Sequence, residues 1–315
     1  MREIDNVVVV GAGIMGLGIA QVFAQGGKNV VLIDPFPAAI AAASGKIKNN
    51  VELLMAEGLL DVVSSTEIIN RIQFAADISQ AKDADLVIEA IPEKIELKET
   101  LFKELESACS NDTIIASNTS GIPITKLAGM IHHPERVIGT HFFNPAHLIP
   151  LVEVTQTEST DAGVIQQILD LLKAVGKQPV HVRKDIPGFI GNRLQHALAR
   201  EAMSLMEQGV ASAEDIDAVV KTSLAIRLVF TGPIEQRDFN GLDTHLSIAE
   251  YLYPELESAS TPLTILREKV AVGELGLKSG RGFYDWTGKS ASEVNGNKNQ
   301  SLIDLLKFLK ETEKE

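Results

Sequence analysis

The chain is poor in cysteine, in aromatic residues and in positive charge. A single cysteine, Cys109, among 315 residues rules out an intrachain disulfide framework and suits a reducing compartment. Aromatic residues make up only 5%, with one tryptophan. Lysine and arginine number 29 against 42 acids, a formal charge of −13, which argues against a nucleic-acid partner or an anionic membrane surface. An anionic substrate would need a local basic pocket. The four-valine run near the N-terminus follows charged residues and stops at Gly11, too short for a signal core or a membrane span, so a cytoplasmic protein is expected. The seven histidines show no spacing with Cys, Asp or Glu that would build a metal centre, and metal catalysis is not expected. What is present, 45% hydrophobic and 23% charged residues, describes a soluble globular chain long enough for two domains.

The most informative segment is Val7-Val8-Val9-Val10 running into Gly11-Ala12-Gly13-Ile14-Met15-Gly16. This spacing predicts the opening of a dinucleotide-binding βαβ unit. Gly11 allows the tight turn out of the strand, Gly13 leaves bare backbone for a pyrophosphate, and Gly16 lets the helix pack close to the sheet. The helix then presents its N-terminal N–H groups and positive dipole end to the phosphates. Asp34 closes the next apolar run, Val30 to Ile33, where a carboxylate accepts hydrogen bonds from a ribose 2′-OH and repels a 2′-phosphate. Pro35-Phe36-Pro37 follow without an arginine, so NAD is favoured over NADP.

Short β-branched runs alternate with helical stretches through the first half, the pattern of a doubly wound parallel sheet. Strands are expected at residues 72–74, 85–90, 113–116, 137–140, 151–154 and 179–182, with helices at 38–60, 97–109 and 164–175. At Lys184-Asp185-Ile186-Pro187-Gly188 the pattern changes. Apolar residues then recur with helical period from Phe189 to Gln208, and Ser212 with Asp215 three residues on makes a capping-box-like start. The expected architecture is therefore α/β, with a Rossmann-type doubly wound sheet over residues 1–185 and a smaller all-α domain over 186–315. Residues 287–300, polar and rich in Gly, Asn and Ser, read as a linker before one more amphipathic helix.

Polar residues at the ends of apolar strands mark the candidate chemistry. Ser117-Asn118-Thr119-Ser120 follows one strand, His141-Phe142-Phe143-Asn144-Pro145 another, and Glu153 sits inside a third. Ligands of open α/β sheets bind beyond the carboxyl ends of the strands, so Ser120 and His141 can share a site with the nicotinamide. An alcohol releases hydride only as its O–H proton leaves, and histidine suits that task at neutral pH. A carboxylate such as Glu153 on the other ring nitrogen would fix the tautomer, while Ser120 and Asn144 or Asn192 could hydrogen-bond the developing carbonyl oxygen.

With these residues the chain resembles the 3-hydroxyacyl-CoA dehydrogenase family from Val7 to about Trp286. The resemblance rests on the glycine turn, Val87-Ile88-Glu89-Ala90-Ile91-Pro92-Glu93, Ser117 to Ser120, His141 to Pro145, and Leu151-Val152-Glu153-Val154. It extends through Asp185 to Arg193, Gly232-Pro233-Ile234-Glu235 and Gly280-Arg281-Gly282-Phe283-Tyr284-Asp285. It implies that His141 is the general base paired with Glu153. It also implies that Ser120 and Asn192 contact the substrate oxygen, that Glu93 and Lys98 line the cofactor site, and that the helical domain forms a homodimer. The substrate implied is a short-chain L-3-hydroxyacyl-CoA, oxidised with NAD.

Two departures from that pattern keep a free 3-hydroxy acid open as the substrate. The hairpin that binds CoA in the family carries Lys46 and Lys48, but its second half, Met55-Ala56-Glu57-Gly58, is acidic. Arg227 stands before Gly232-Pro233 where acyl-CoA enzymes resemble one another in an uncharged stretch. Relatives acting on free hydroxy acids, similar to gulonate and carnitine dehydrogenases, tend to place an arginine there, and a buried one would clamp a carboxylate in two places. A non-catalytic NAD-binding structural protein on the same fold is the alternative of another class.

Overall fold

Eight short apolar runs pair into one sheet in the computed structural model, which describes residues 3–312. In chain order the first part holds β1 (Asn6–Val10), α1 (Ile14–Gln25), β2 (Asn29–Ile33), α2 (Pro37–Ala56), α3 (Val62–Asn70), β3 (Ile72–Ala75) and β4 (Leu86–Glu89). It continues with α4 (Ile95–Ala108), β5 (Ile114–Ser117), α5 (Ile124–Ala128), β6 (Val137–Phe142), β7 (Leu151–Thr155), α6 (Ala162–Ala174) and β8 (Gln178–Val182). The strand order is β3-β2-β1-β4-β5-β6-β7-β8. All neighbours run parallel except β6 and β7, which pair antiparallel.

Period-two alternation along β1 explains why helices cover both faces. Val7 and Val9 join Ile19, Val22 and Phe23 of α1, Ile47 and Val51 of α2, and Ile168 and Leu172 of α6 in one core. Val8 and Val10 point the other way, into a second core with Leu101, Phe102 and Leu105 of α4 and Ile124 and Leu127 of α5. Because β1 lies between β2 and β4, the chain order reverses there, and the crevice beyond the carboxyl ends of β1 and β4 is the ligand site of a doubly wound sheet.

The chain divides into two compact units between Asn192 and Arg193. The second is helical, with α7 (Gly191–Glu207) leading in and α8 (Ala213–Val219) following. Ser212 caps α8 by accepting the Asp215 N–H, as expected. A π-helical stretch, Val220–Ala225, and further helices at Glu235–Asn240, Leu242–Leu252 and Thr264–Ala271 follow, and a helix over Ala291–Thr312 closes the described residues. Among the described residues no helix is long and apolar enough to cross a membrane.

Two expectations are corrected. The helix expected over 38–60 ends at Ala56, where Gly58 turns with φ of 70°, and α3 starts anew because Asp61 accepts the Ser64 N–H at 2.7 Å. The stretch read as a linker over 287–300 is mostly helix, Ala291–Thr312. Ser290 Oγ accepts the Glu293 N–H at 3.1 Å and starts it, so capping outweighs the weak helix propensity of its Gly and Asn residues.

Candidate active site

The dinucleotide turn is shaped by backbone contact. Gly11 has φ of 106°, and a Cβ there would lie 2.6 Å from the Ala90 carbonyl oxygen. A Cβ on Gly16 would lie 1.7 Å from the carbonyl oxygen of Gly11, so helix and turn pack at a distance only glycine permits. Gly13 differs: a Cβ there meets nothing within 4 Å, and the space above it is open. α1 begins at Ile14 with no side chain capping its first N–H groups, leaving those of Ile14, Met15 and Gly16 for an anion. At the end of β2 the Asp34 carboxylate is fixed by the N–H groups of Ala12 and Phe36, each at 2.9 Å. Open backbone, uncapped amides and a positioned acid fit the pyrophosphate and ribose of NAD.

His141 and Glu153 meet because β6 and β7 run antiparallel with these two residues as direct register partners. His141 Nδ1 lies 2.8 Å from Glu153 Oε2, with both residues buried. The other carboxylate oxygen of Glu153 accepts the N–H groups of Ile190 and Gly191, both at 2.8 Å, at the start of α7. Burial alone would raise the Glu153 pKa, but the His141 bond and the two amides outweigh it and hold the carboxyl below its usual range. With Nδ1 engaged, Nε2 is the ring nitrogen available to a substrate hydroxyl. Phe143 and Phe189 flank the imidazole, with ring centroids 4.5 and 5.7 Å away.

Ser120 is exposed on the turn after β5, and Asn192 reaches it by donating from its side-chain amide to the Ser120 carbonyl at 3.0 Å. Because Asn192 follows the two amides that Glu153 holds, the four residues His141, Glu153, Asn192 and Ser120 form one connected set. Glu93 and Lys98 belong to the same neighbourhood. Lys98 Nζ lies 3.1 Å from Glu93, whose other oxygen accepts the amides of Ser120 and Gly121 at 3.2 and 3.1 Å. Burial would raise the Glu93 pKa, yet the Thr119 hydroxyl and Lys98 hold it low. Asn144 is exposed just past β6, before a cis peptide to Pro145. Lys46 and Lys48 are exposed on α2, with Lys48 3.9 Å from Glu52. Arg227 lies in the second unit, exposed, its guanidinium 3.2 Å from the Ser223 hydroxyl, so it is not the buried arginine the clamp argument calls for.

Three residues of this neighbourhood lie within the motifs read from the sequence but were given no role there. Asn118 accepts the Phe142 N–H at 2.9 Å and ties the β5 turn to the strand bearing His141. Glu89 and Ser117 are fully buried and bonded to each other. An acid inside an otherwise apolar strand, the signal that drew attention to Glu153, was equally present at Glu89 within the strand expected over 85–90.

A nucleotide turn after β1 and a buried histidine–carboxylate pair on β6 and β7 of the same doubly wound sheet define an NAD-linked dehydrogenase. The model of the 3-hydroxyacyl-CoA dehydrogenase NAD binding domain matches residues 6–186, and that of the C-terminal domain of the same family matches 188–286. The chain belongs to the 3-hydroxyacyl-CoA dehydrogenase family and is an NAD-dependent oxidoreductase. A probable 3-hydroxybutyryl-CoA dehydrogenase of Bacillus subtilis is 40% identical over 290 residues, covering 92% of this chain and 100% of the relative. A 5-formyl-3-hydroxy-2-methylpyridine 4-carboxylate 5-dehydrogenase of Mesorhizobium japonicum is 36% identical over 310 residues, covering 97% of this chain and 98% of the relative. The crystal structure of such a 5-dehydrogenase, an NAD+-dependent dismutase, superposes with a TM-score of 0.91 at 36% identity, covering 98% of this chain and 99% of that one.

Proposed function

We propose that the protein reversibly oxidises the 3-hydroxyl of a short-chain L-3-hydroxyacyl-CoA to the 3-oxoacyl-CoA. The observation that carries this reading is the buried His141–Glu153 pair, with Nδ1 held at 2.8 Å and Nε2 left for the substrate. NAD, held by the dinucleotide turn and Asp34, would supply the hydride acceptor. His141 takes the hydroxyl proton at Nε2, and the ionised Glu153 stabilises the imidazolium that results. Ser120 and Asn192 hydrogen-bond the oxygen as it becomes a carbonyl, and Glu93 and Lys98 line the cofactor side. Asp34 favours NAD over NADP. The exposed Lys46 and Lys48 on α2 are the cations available to CoA phosphates.

A second reading, a substrate with a free carboxylate, is supported by the likeness in structure: the TM-score is 0.91 to the pyridine-carboxylate dehydrogenase and 0.77 to the 3-hydroxybutyryl-CoA dehydrogenase of Escherichia coli K12, both at 36% identity. In that reading a cation must hold the carboxylate, and Arg227, although exposed, is the residue to test for it. The test is NADH formation with 3-hydroxybutyryl-CoA, free 3-hydroxy acids and an aromatic hydroxy or formyl carboxylate, repeated with Arg227→Met and with Lys46 and Lys48 replaced. Turnover of the thioester that weakens with salt and without the lysines supports the first reading. Free-acid turnover that collapses without Arg227 supports the second, and no turnover of any substrate leaves the non-catalytic reading.

A further inference from the structure

Glu89 is the last residue of β4, wholly buried, and its carboxylate is saturated by protein groups. One oxygen accepts Lys98 Nζ at 2.6 Å and the Ile91 N–H at 2.9 Å, while the other accepts the Ser117 hydroxyl at 2.5 Å. Ser117 Oγ in turn accepts the Thr119 N–H at 3.2 Å. Thr119 donates its hydroxyl to Glu93, which Lys98 pairs from the opposite side. The result is a closed ring, Glu89–Ser117–Thr119–Glu93–Lys98, with one ammonium shared between two carboxylates and the amides of Ser120 and Gly121 hanging from Glu93. The four ring members other than Glu93 are at most 1% exposed. Rings of this kind are rigid when every member is satisfied.

The same carboxylate also shapes the other wall. By accepting the Ile91 N–H it curls the chain back at residues 89–91, and this bend abuts the dinucleotide turn. A Cβ on Gly11 would lie 2.6 Å from the Ala90 oxygen and 3.1 Å from the Ile91 nitrogen. We propose that Glu89 is a positioning residue that sets the spacing between the dinucleotide turn and the Ser120 turn. It touches neither cofactor nor substrate and acts through Lys98, Ser117 and Glu93. The inference rests on the reading that Ser120 meets the substrate oxygen, and it adds the residue that holds Ser120 in place. Misplacements of about an ångström at a reacting centre cost on the order of a hundredfold in rate, so an indirect group can be decisive.

The test is Glu89→Gln in the full chain, an isosteric change that removes the charge facing Lys98. In the protein without cofactor, amide exchange at Ser120 and Gly121 should accelerate about tenfold while amides of β1 and β2 keep their rates. With whichever substrate of the panel turns over, kcat should fall about tenfold or more. In a Ser120→Ala background the same change should cost little further, because it acts through Ser120. Unchanged exchange at residues 120–121 overturns the proposal, as does a kcat loss that multiplies undiminished onto Ser120→Ala. Removing one partner of a buried ion pair can prevent folding. In that case Ser117→Ala, which removes the two hydrogen bonds of Ser117 Oγ and leaves the Lys98 ion pairs in place, is judged by the same readouts with smaller shifts in the same directions. Absence of turnover in the unaltered protein would defeat the functional reading alone, since the exchange measurement needs no substrate.

Discussion

At the scale of single residues the chemistry depends on how completely Glu153 is satisfied. Its carboxylate has one oxygen on His141 and the other on two amides, so it orients the imidazole and the start of α7 together. His141→Ala is expected to lower kcat by about 10²–10⁴ with NAD binding near normal, and Glu153→Gln nearly as far. Steady-state kinetics of the double variant check this: losses that multiply in full would mean the two residues do not act as a unit. A second titratable group, His147, is set by its burial. Burial, helped by the charge of Lys177, pushes the His147 pKa down to about 4 from 6.5. The folded state therefore keeps His147 neutral while the unfolded chain protonates as pH falls through 6.5. Stability is unaffected above that value and drops between pH 6.5 and 4, by on the order of 3 kcal/mol for this group. Thermal melts of His147→Gln should show a shallower loss than the parent across that window, and parallel curves would contradict the assignment.

At the scale of elements, the β1–α1 turn contains glycines that answer to different constraints. Gly16 is required by the fold, since its Cβ would lie 1.7 Å from the Gly11 oxygen, whereas Gly13 borders open space. Gly16→Ala should thus lower both Tm and NAD affinity, because backbone cannot yield cheaply to an added carbon. Gly13→Ala should leave Tm within about two degrees of the parent and weaken NAD binding alone, the methyl standing where the pyrophosphate would approach. Calorimetry with NAD titration separates the two, and a Gly13→Ala protein with unaltered affinity would remove the turn from the cofactor site.

At the scale of the whole molecule the two units differ in how much they bury. Among the described residues from 193 onward, the buried side chains are Ser204, Ala213, Leu263 and Ile303. Large apolar residues there are exposed instead, among them Phe230 at 62%, Ile234 at 77% and Phe239 at 67%. Apolar surface on this scale marks an interaction site, and the homodimer expected for the family would cover it. Light scattering should report a mass near twice the 34.0 kDa of the chain, with a Tm that falls on dilution. A monomer at working concentration would refute this.

Much of this was legible in the chain itself, because its signals are local. The glycine turn, the acid closing β2 and the polar residues at strand ends are contiguous patterns whose geometry follows from backbone sterics and a period of two. Collinear motifs were enough to expect the family. Capping misled the reading at residues 287–300, where the Ser290 cap outweighed Gly and Asn in a way propensity alone does not reveal. The antiparallel turn of β7 against β6 is another matter. Nothing in either strand states its direction, yet that pairing makes His141 and Glu153 register partners 12 residues apart. The ring that closes from Glu89 through Ser117 to Glu93 joins residues up to 28 positions apart across two parallel strands and a helix. Such contacts arise only when the sheet has formed, since each side chain alone reads as an acid or hydroxyl in an apolar run and gains its role from what the neighbouring strand brings beside it.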